Sequence, residues 1–393
     1  MANDAWRHPA NTQVAQVRTF TITAAGAGTE VWTFTYTDDD GTTATVTYTE
    51  DGSPTTTEIA TGLFNAWNAS TNPLIASITA TNPSAGVCTL TADTAGVPFT
   101  VTLAASGTGT DTETATTANV GNNDYSTPRN WQLDLAPVAT NDALFIAGSV
   151  SAKYGLNQSS VAIADFRVFT GCSSQFGRIT DGLPHYLRID PDLFDYRGNG
   201  TLGLFDIGSA NISPTISAQG SPTGTGYHTV YLKGSNIATL LISKGNVGVA
   251  VFDADTATVA TIRTTYETTQ ASDVALTIGT GVTLTTLEQG GGTCTLKAAA
   301  TTVTTAANCT LTTEGGGAIT TLNLQGTAYL NSTGTITTLN AWGTVDFRKS
   351  RVARTVTTLN VKAGATIHLH SGITVTNWAF EGAEGTYTIK YYK

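Results

Sequence analysis

Large apolar residues alternate with threonine from Val17 onward: Thr-Phe-Thr-Ile-Thr at 19–23, Trp-Thr-Phe-Thr-Tyr at 32–36 and Thr-Val-Thr-Tyr at 45–48. A period of two places the large residues on one face, as in a half-buried strand. Asp38-Asp39-Asp40-Gly41 supplies turn residues between the second and third runs, and the pattern predicts three strands joined by two hairpin connections. The period then changes. Ser53-Pro54 offers a cap with a proline at the first helical position, Thr55 and Glu58 have capping-box spacing, and Ile59, Leu63, Phe64 and Trp67 recur on one helical face until Asn72-Pro73. Further strands are predicted at Ile75–Thr81, Val87–Ala92 and Phe99–Ala104, pairing into a sheet covered by that helix.

A different pattern occupies the C-terminal part. Ala-Thr-Leu at 238–240, Ala-Thr-Ile at 260–262, Thr-Thr-Leu-Glu at 285–288, Thr-Thr-Leu-Asn at 320–323, 337–340 and 357–360, and Thr-Asn-Trp at 376–378 mark equivalent places. Successive anchors from Leu240 to Trp378 lie 22, 25, 35, 17, 20 and 19 residues apart, and the long gap holds a hidden anchor at Val303. Periods near 20 are those of a β-solenoid, in which short strands and bends fill one coil. Inward Leu, Ile or Val would sit between outward threonines, with bends at Gly326, Gly334, Gly343 and Gly364. At this period residues 131–393 would stack roughly 12 coils into a rod on the order of 55–60 Å long. Trp378-Ala379-Phe380 and Tyr387–Tyr392 are expected to cap it.

The organisation expected is therefore an N-terminal arm (1–16), an acidic α+β module (17–105), a Gly/Thr/Asp/Asn-rich linker (106–130) and a solenoid with its cap (131–393). Charge follows these divisions. Residues 1–124 hold 12 acidic side chains against 2 arginines, whereas residues 125–393 hold 17 of each sign, so the net charge of −10 belongs to the N-terminal part. Such a module repels nucleic acid, and the basic run Arg348, Lys349, Arg351, Arg354 has no interleaved aromatics. Cys88, Cys172, Cys294 and Cys309 lie far apart without metal spacing, which makes buried thiols the expectation. The start of the chain lacks a basic leader and an apolar stretch, and no run of 18 apolar residues occurs. The expectation is a soluble protein made in a cytoplasm without export.

Two segments carry a family resemblance. The run Ile59-Ala60-Thr61-Gly62-Leu63 through Ala66-Trp67-Asn68-Ala69, then Ile78-Thr79-Ala80 and Leu90-Thr91-Ala92-Asp93-Thr94-Ala95-Gly96-Val97-Pro98-Phe99-Thr100, resembles a β-β-α-β-β module of structural proteins of tailed phages. Asn130-Trp131, Pro137 and Asp142-Ala143-Leu144-Phe145-Ile146 resemble the lead-in to parallel β-helices on phage and bacterial surfaces, although Asp134 stands where that lead-in often has glycine. The resemblance implies a mainly β virion protein, most like a capsid decoration (cement) protein. It further implies binding to the major capsid protein on the capsid exterior and association as a homotrimer. Contact would fall to Trp6, Arg7 and His8 of the arm and to Arg348, Lys349, Arg351 and Arg354. A tail fibre or tailspike binding host-surface glycan is the alternative, and a bacterial surface adhesin a third reading.

Parallel β-helices also host glycan-cleaving enzymes, which need two carboxylates facing each other across a sugar site. The densest cluster is Asp190, Asp192 and Asp195 with Arg188 and Arg197, followed by Asp253 with Asp255. Asp190-Pro191-Asp192 reads as a turn. The stretch 256–345 holds only Glu267, Asp273, Glu288 and Glu314, too few for a catalytic face. His368 and His370 share one side of a strand, read as a surface pair without a third metal ligand. Gly290-Gly291-Gly292 and Gly315-Gly316-Gly317 open no helix and read as bends. The expectation is a protein with no enzymatic activity, cofactor or metal.

Overall fold

A chain so rich in threonine and β-branched residues favours extended backbone, and strands take up 56% of it against 4% for helix. The computed structural model describes residues 3–7, 12–38, 41–180, 182–209, 211–222, 226–265, 274–381 and 385–392. Two compact units emerge, one of 7–136 with 150–157, the other of 1–6, 137–149 and 158–393.

The smaller unit is built on two antiparallel sheets. One runs Ile78–Thr81, Val87–Ala92, Val17–Ala24, Thr110–Thr117; the other Thr43–Thr49, Val31–Thr37, Thr100–Ala105. The first expected hairpin is therefore absent, because the chain changes sheets between Val17–Ala24 and Val31–Thr37. Glu30 fixes the crossing: its carboxylate accepts the N–H groups of Ala27 (3.1 Å), Thr108 (2.7 Å) and Gly109 (2.9 Å), which holds its pKa at about 2. The helix Thr56–Asn68 packs Ile59, Ala60, Leu63 and Trp67 into the core, and Trp67 Nε1 donates to the Ile78 carbonyl at 2.8 Å. Its cap is Thr55, whose hydroxyl accepts from Glu58 N at 3.2 Å, so Pro54 precedes the helix rather than opening it.

Among the described residues of this unit, three strands precede the helix and four follow it, more than the expected β-β-α-β-β. The additional last strand, Thr110–Thr117, lies inside the expected linker. Its sequence, Thr-Asp-Thr-Glu-Thr-Ala-Thr-Thr, lacks large apolar residues because it is an edge strand, held to Val17–Ala24 by Thr19–Thr116 hydroxyls at 2.6 Å and by the Arg18–Glu113 ion pair. The rest of that segment also folds: Asn130 Nδ2 donates to the carbonyls of Gly121 and Asp124, both at 2.8 Å, and buried Trp131 donates to Tyr125 O at 2.7 Å. Asp134 adopts φ 55°, a left-handed conformation that glycine tolerates best, which is why glycine suits this place.

The larger unit is one large sheet system of many strands, and the named neighbours below pair in parallel. From Val230 onward each strand pairs with the strand two places on in sequence. The register places Leu240, Ile262, Leu287, Val303, Leu322, Leu339, Leu359 and Trp378 opposite one another in succession. A second succession runs Leu276, Cys294, Leu311, Ala328, Val345, Ile367, Ile389. Residues of the first series from Leu240 to Leu359 have essentially no exposed surface, and each buried aliphatic side chain contributes roughly 1.5–3 kcal/mol. Outward positions form ladders, including an amide chain in which Asn340 donates to Asn323 (2.7 Å) and Asn360 to Asn340 (2.6 Å).

Glycine enters this unit for a reason the sequence did not suggest. Gly364 does have φ 87°, but Gly326, Gly334 and Gly343 do not have positive φ; an added Cβ there would stand 2.3, 2.1 and 2.0 Å from the backbone carbonyls of Cys309, Gly317 and Gly326. Close approach of that neighbouring backbone, not bending, excludes a side chain. Between 137 and 205 the interior is aromatic: Trp6, Phe145, Phe166, Phe176, Phe194 and Phe205 are buried with ring centroids 4.7–5.9 Å apart between neighbours. Asp190-Pro191-Asp192 lies within the strand Leu187–Tyr196 instead of forming a turn. That strand pairs at Leu187 and Arg188 with Gly203–Asp206 and at Asp195 and Tyr196 with Thr215–Ser217.

Candidate functional site

In three neighbouring strands of the larger unit a charged residue immediately after a buried apolar one falls in register. Leu187, Phe205 and Leu232 are buried in register, so Arg188, Asp206 and Lys233 follow them in register on the other face. Arg188 Nε lies 3.9 Å from Asp206 Oδ2, Lys233 Nζ 4.0 Å from the same oxygen, and Lys233 Nζ 3.3 Å from Asp255 Oδ1. Signs alternate along this ladder. Asp255 is 5% exposed and its second oxygen accepts the Tyr186 hydroxyl; burial and this bond push the phenol pKa well up. Lys233 also lies 4.2 Å from the centre of the Tyr186 ring, so a cation, a buried carboxylate and a buried phenol stabilise one another.

Beside the ladder lies a cavity of about 380 Å³ lined by Asp190, Asp206, Lys233, Ser159, Ser209 and Ser235, among others. It forms where the strands leave their ladders: pairing shifts between Gly234 and Ile237, and Gly208 takes φ 69°. Two carboxylates, Asp190 and Asp206, line it, with Lys233 Nζ 4.0 Å from Asp206 Oδ2.

The sequence cluster is divided. Asp190 lines the cavity, Asp192 is exposed, and Asp195 is tied to Arg197 Nε (3.0 Å) and the Thr215 hydroxyl (2.9 Å). Asp253 is exposed while Asp255 is buried. Glu267 and Asp273 lie outside the described residues. Asp206 and Lys233, which carry the ladder, went unnoticed in the sequence. The signal that would have found them is a charge directly after an apolar pair, in Leu204-Phe205-Asp206 and Tyr231-Leu232-Lys233.

The expected contact residues are redistributed too. Asn3–Ala5 pairs with Asp142–Gly148, and Trp6 is 5% exposed, its ring 5.4 Å from Phe145 and its N–H bonded to Leu144 O at 2.8 Å. Trp6 thus belongs to its own core and not to a docking arm. Arg7 pairs with Asp134 at 3.0 Å at the surface, and His8 lies outside the described residues. Arg348, Lys349 and Arg351 are exposed, Arg348 forking onto Asp346 with Nη2 at 2.6 Å. Arg354 is 5% exposed and donates to the Ser350 and Val352 carbonyls at 2.8 and 3.5 Å, a fastener of the basic loop and not a free contact.

His370, expected at the surface, is 6% exposed; its Nδ1 accepts from Gly372 N at 3.0 Å, and burial followed by Arg354 pushes its pKa down. His368 bonds Tyr392 at 2.9 Å. All four cysteines are buried and form no disulfide with one another. Among the described residues no group of three or more His, Cys, Asp or Glu is placed to hold a metal, and no helix is long and apolar enough to cross a membrane. Comparison with protein-family models, curated proteins and solved structures finds no match to the chain.

Proposed function

We propose that the protein is a non-enzymatic structural component of a virion, a decoration protein that binds the major capsid protein on the capsid exterior and stabilises the shell, with the larger unit a parallel β-helix that projects as a rigid, electrically neutral knob. The observation that carries this reading is the unbroken register from Leu240 to Leu359, which buries one aliphatic position per strand and leaves threonine and asparagine outward. Such an array gains stability turn by turn without any reactive centre. The acidic smaller unit and the exposed Arg348, Lys349 and Arg351 supply opposite charges for attachment, and a homotrimer would match a local threefold point of an icosahedral shell.

Quantitative mass spectrometry of capsids and tails separated from purified particles tests the assignment. Enrichment with capsids, and a trimer mass by sedimentation equilibrium, are the expected results. Recovery with tails alone overturns the decoration reading, and a monomer at particle-forming concentrations overturns the trimer.

A further inference from the structure

The charged ladder and its cavity have no part in the structural role. From their geometry we propose that the cavity beside Asp206 and Lys233 binds a polyhydroxylated ligand, one sugar residue of a saccharide. Its volume of about 380 Å³ falls within the range of roughly 300–1,000 Å³ typical of small-molecule sites. Gly208 keeps part of its floor clear, since a Cβ there would lie 2.8 Å from Asp190 Oδ1.

The chemistry selects the ligand. Lys233 Nζ and Asp206 Oδ2 face each other at 4.0 Å, close enough to attract but too far for a hydrogen bond. Among the described residues the Lys233 ammonium makes one hydrogen bond, to Asp255, and therefore has N–H groups to spare. A ligand hydroxyl seated between the two accepts from Nζ and donates to Oδ2 at once. Ser209 and Ser235 add rim hydroxyls; that of Ser235 donates to Gly208 O at 3.2 Å and keeps its lone pairs for a ligand. A simple anion would meet Asp190 and Asp206, and a simple cation would meet Lys233; a neutral polyol meets a partner at each point. None of the residues lining the cavity is aromatic, so ring stacking is missing and a single sugar is held weakly.

The test is saturation-transfer difference NMR on the full chain with methyl α-glucoside, methyl α-galactoside and methyl α-mannoside, followed by titration with the best of them. Ser235→Trp, at an exposed position on the rim, fills the cavity, and Asp206→Asn removes the acceptor charge while keeping its shape. Each is expected to weaken binding at least tenfold, with the circular dichroism spectrum unchanged, while Asp192→Asn, exposed and not lining the cavity, binds as the parent does. No transfer to any of the three sugars, or undiminished affinity in Ser235→Trp or Asp206→Asn, overturns the proposal. None of these outcomes bears on capsid association, which is read separately.

Discussion

If close approach of neighbouring backbone, and not backbone freedom, dictates glycine at positions such as Gly343, two Gly→Ala changes should have opposite ranks from those a turn-based reading gives. In Gly343→Ala the new methyl stands 2.0 Å from Gly326 O and 2.4 Å from Gln325 O, so reaching an ordinary contact of 3.4 Å needs a displacement of about 1.4 Å. The bonds Thr344 N–Gly326 O (2.9 Å) and Trp342 N–Leu324 O (2.8 Å) would stretch past hydrogen-bonding range. Losing two bonds at about 1 kcal/mol each, with overpacking strain of about 1–3 kcal/mol, puts the cost at about 3–5 kcal/mol. Gly364→Ala meets nothing nearer than Trp342 O at 3.6 Å and suffers only the left-handed backbone, about 1–2 kcal/mol. Urea unfolding followed by circular dichroism, with hydrogen exchange at the Thr344 amide, measures both. A Gly364→Ala variant as destabilised as Gly343→Ala, or an unchanged Thr344 exchange rate in Gly343→Ala, would refute the close-approach account.

Leu339→Ala removes a side chain with no exposed surface from the middle of the apolar series, and should cost about 2–5 kcal/mol; a loss below 1 kcal/mol in the same unfolding assay would mean the turns relax around the gap. Glu30, whose pKa is drawn from 4.5 down to about 2, stabilises the smaller unit fully above 4.5 and loses that contribution as the pH falls toward 2. Glu30→Gln should therefore flatten the dependence of stability on pH across that window, and an unaltered slope would remove Glu30 from its cause. Arg354→Met keeps the apolar stem but frees the Ser350 and Val352 carbonyls. Trypsin should then cleave after Arg348, Lys349 or Arg351 faster than in the parent while the melting temperature barely moves; equal cleavage rates would show that the loop is held by other means.

How far the fold could be read depended on what fills the interior. From Leu240 onward a Thr-Thr-Leu-like triplet recurs along the chain, so the spacing alone located positions that the structure sets in register, the hidden Val303 included. Between 137 and 205 the buried places are taken by Phe145, Phe166, Phe194 and Phe205, whose rings pack against one another. No fixed spacing is needed for that packing, and the marker fades. Thr110–Thr117 was taken for linker because an edge strand with neither face buried has no alternation to display. The N-terminal segment was illegible for a similar reason: a three-residue strand, Asn3–Ala5, is too short for periodicity, and only its partner Asp142–Gly148 reveals that Trp6 is core.

The ladder of charges was out of reach for a stronger reason. Arg188, Asp206, Lys233 and Asp255 are separated by 18, 27 and 22 positions, intervals as uneven as the loops between them. The proximity of Arg188, Asp206 and Lys233 arises from parallel register, which a strand fixes by which neighbour it bonds and not by residue type. The cluster that did stand out, Asp190 to Arg197, is not one site: Asp190 lines the cavity, Asp192 is exposed, and Asp195 pairs with Arg197. Across parallel strands, chemistry therefore collects along the register, one residue per strand. A site of this kind should be sought by aligning strands on their buried residues and reading the position beside them. Applied to Leu187, Phe205 and Leu232, that reading returns Arg188, Asp206 and Lys233, the residues that border the cavity proposed to hold a sugar.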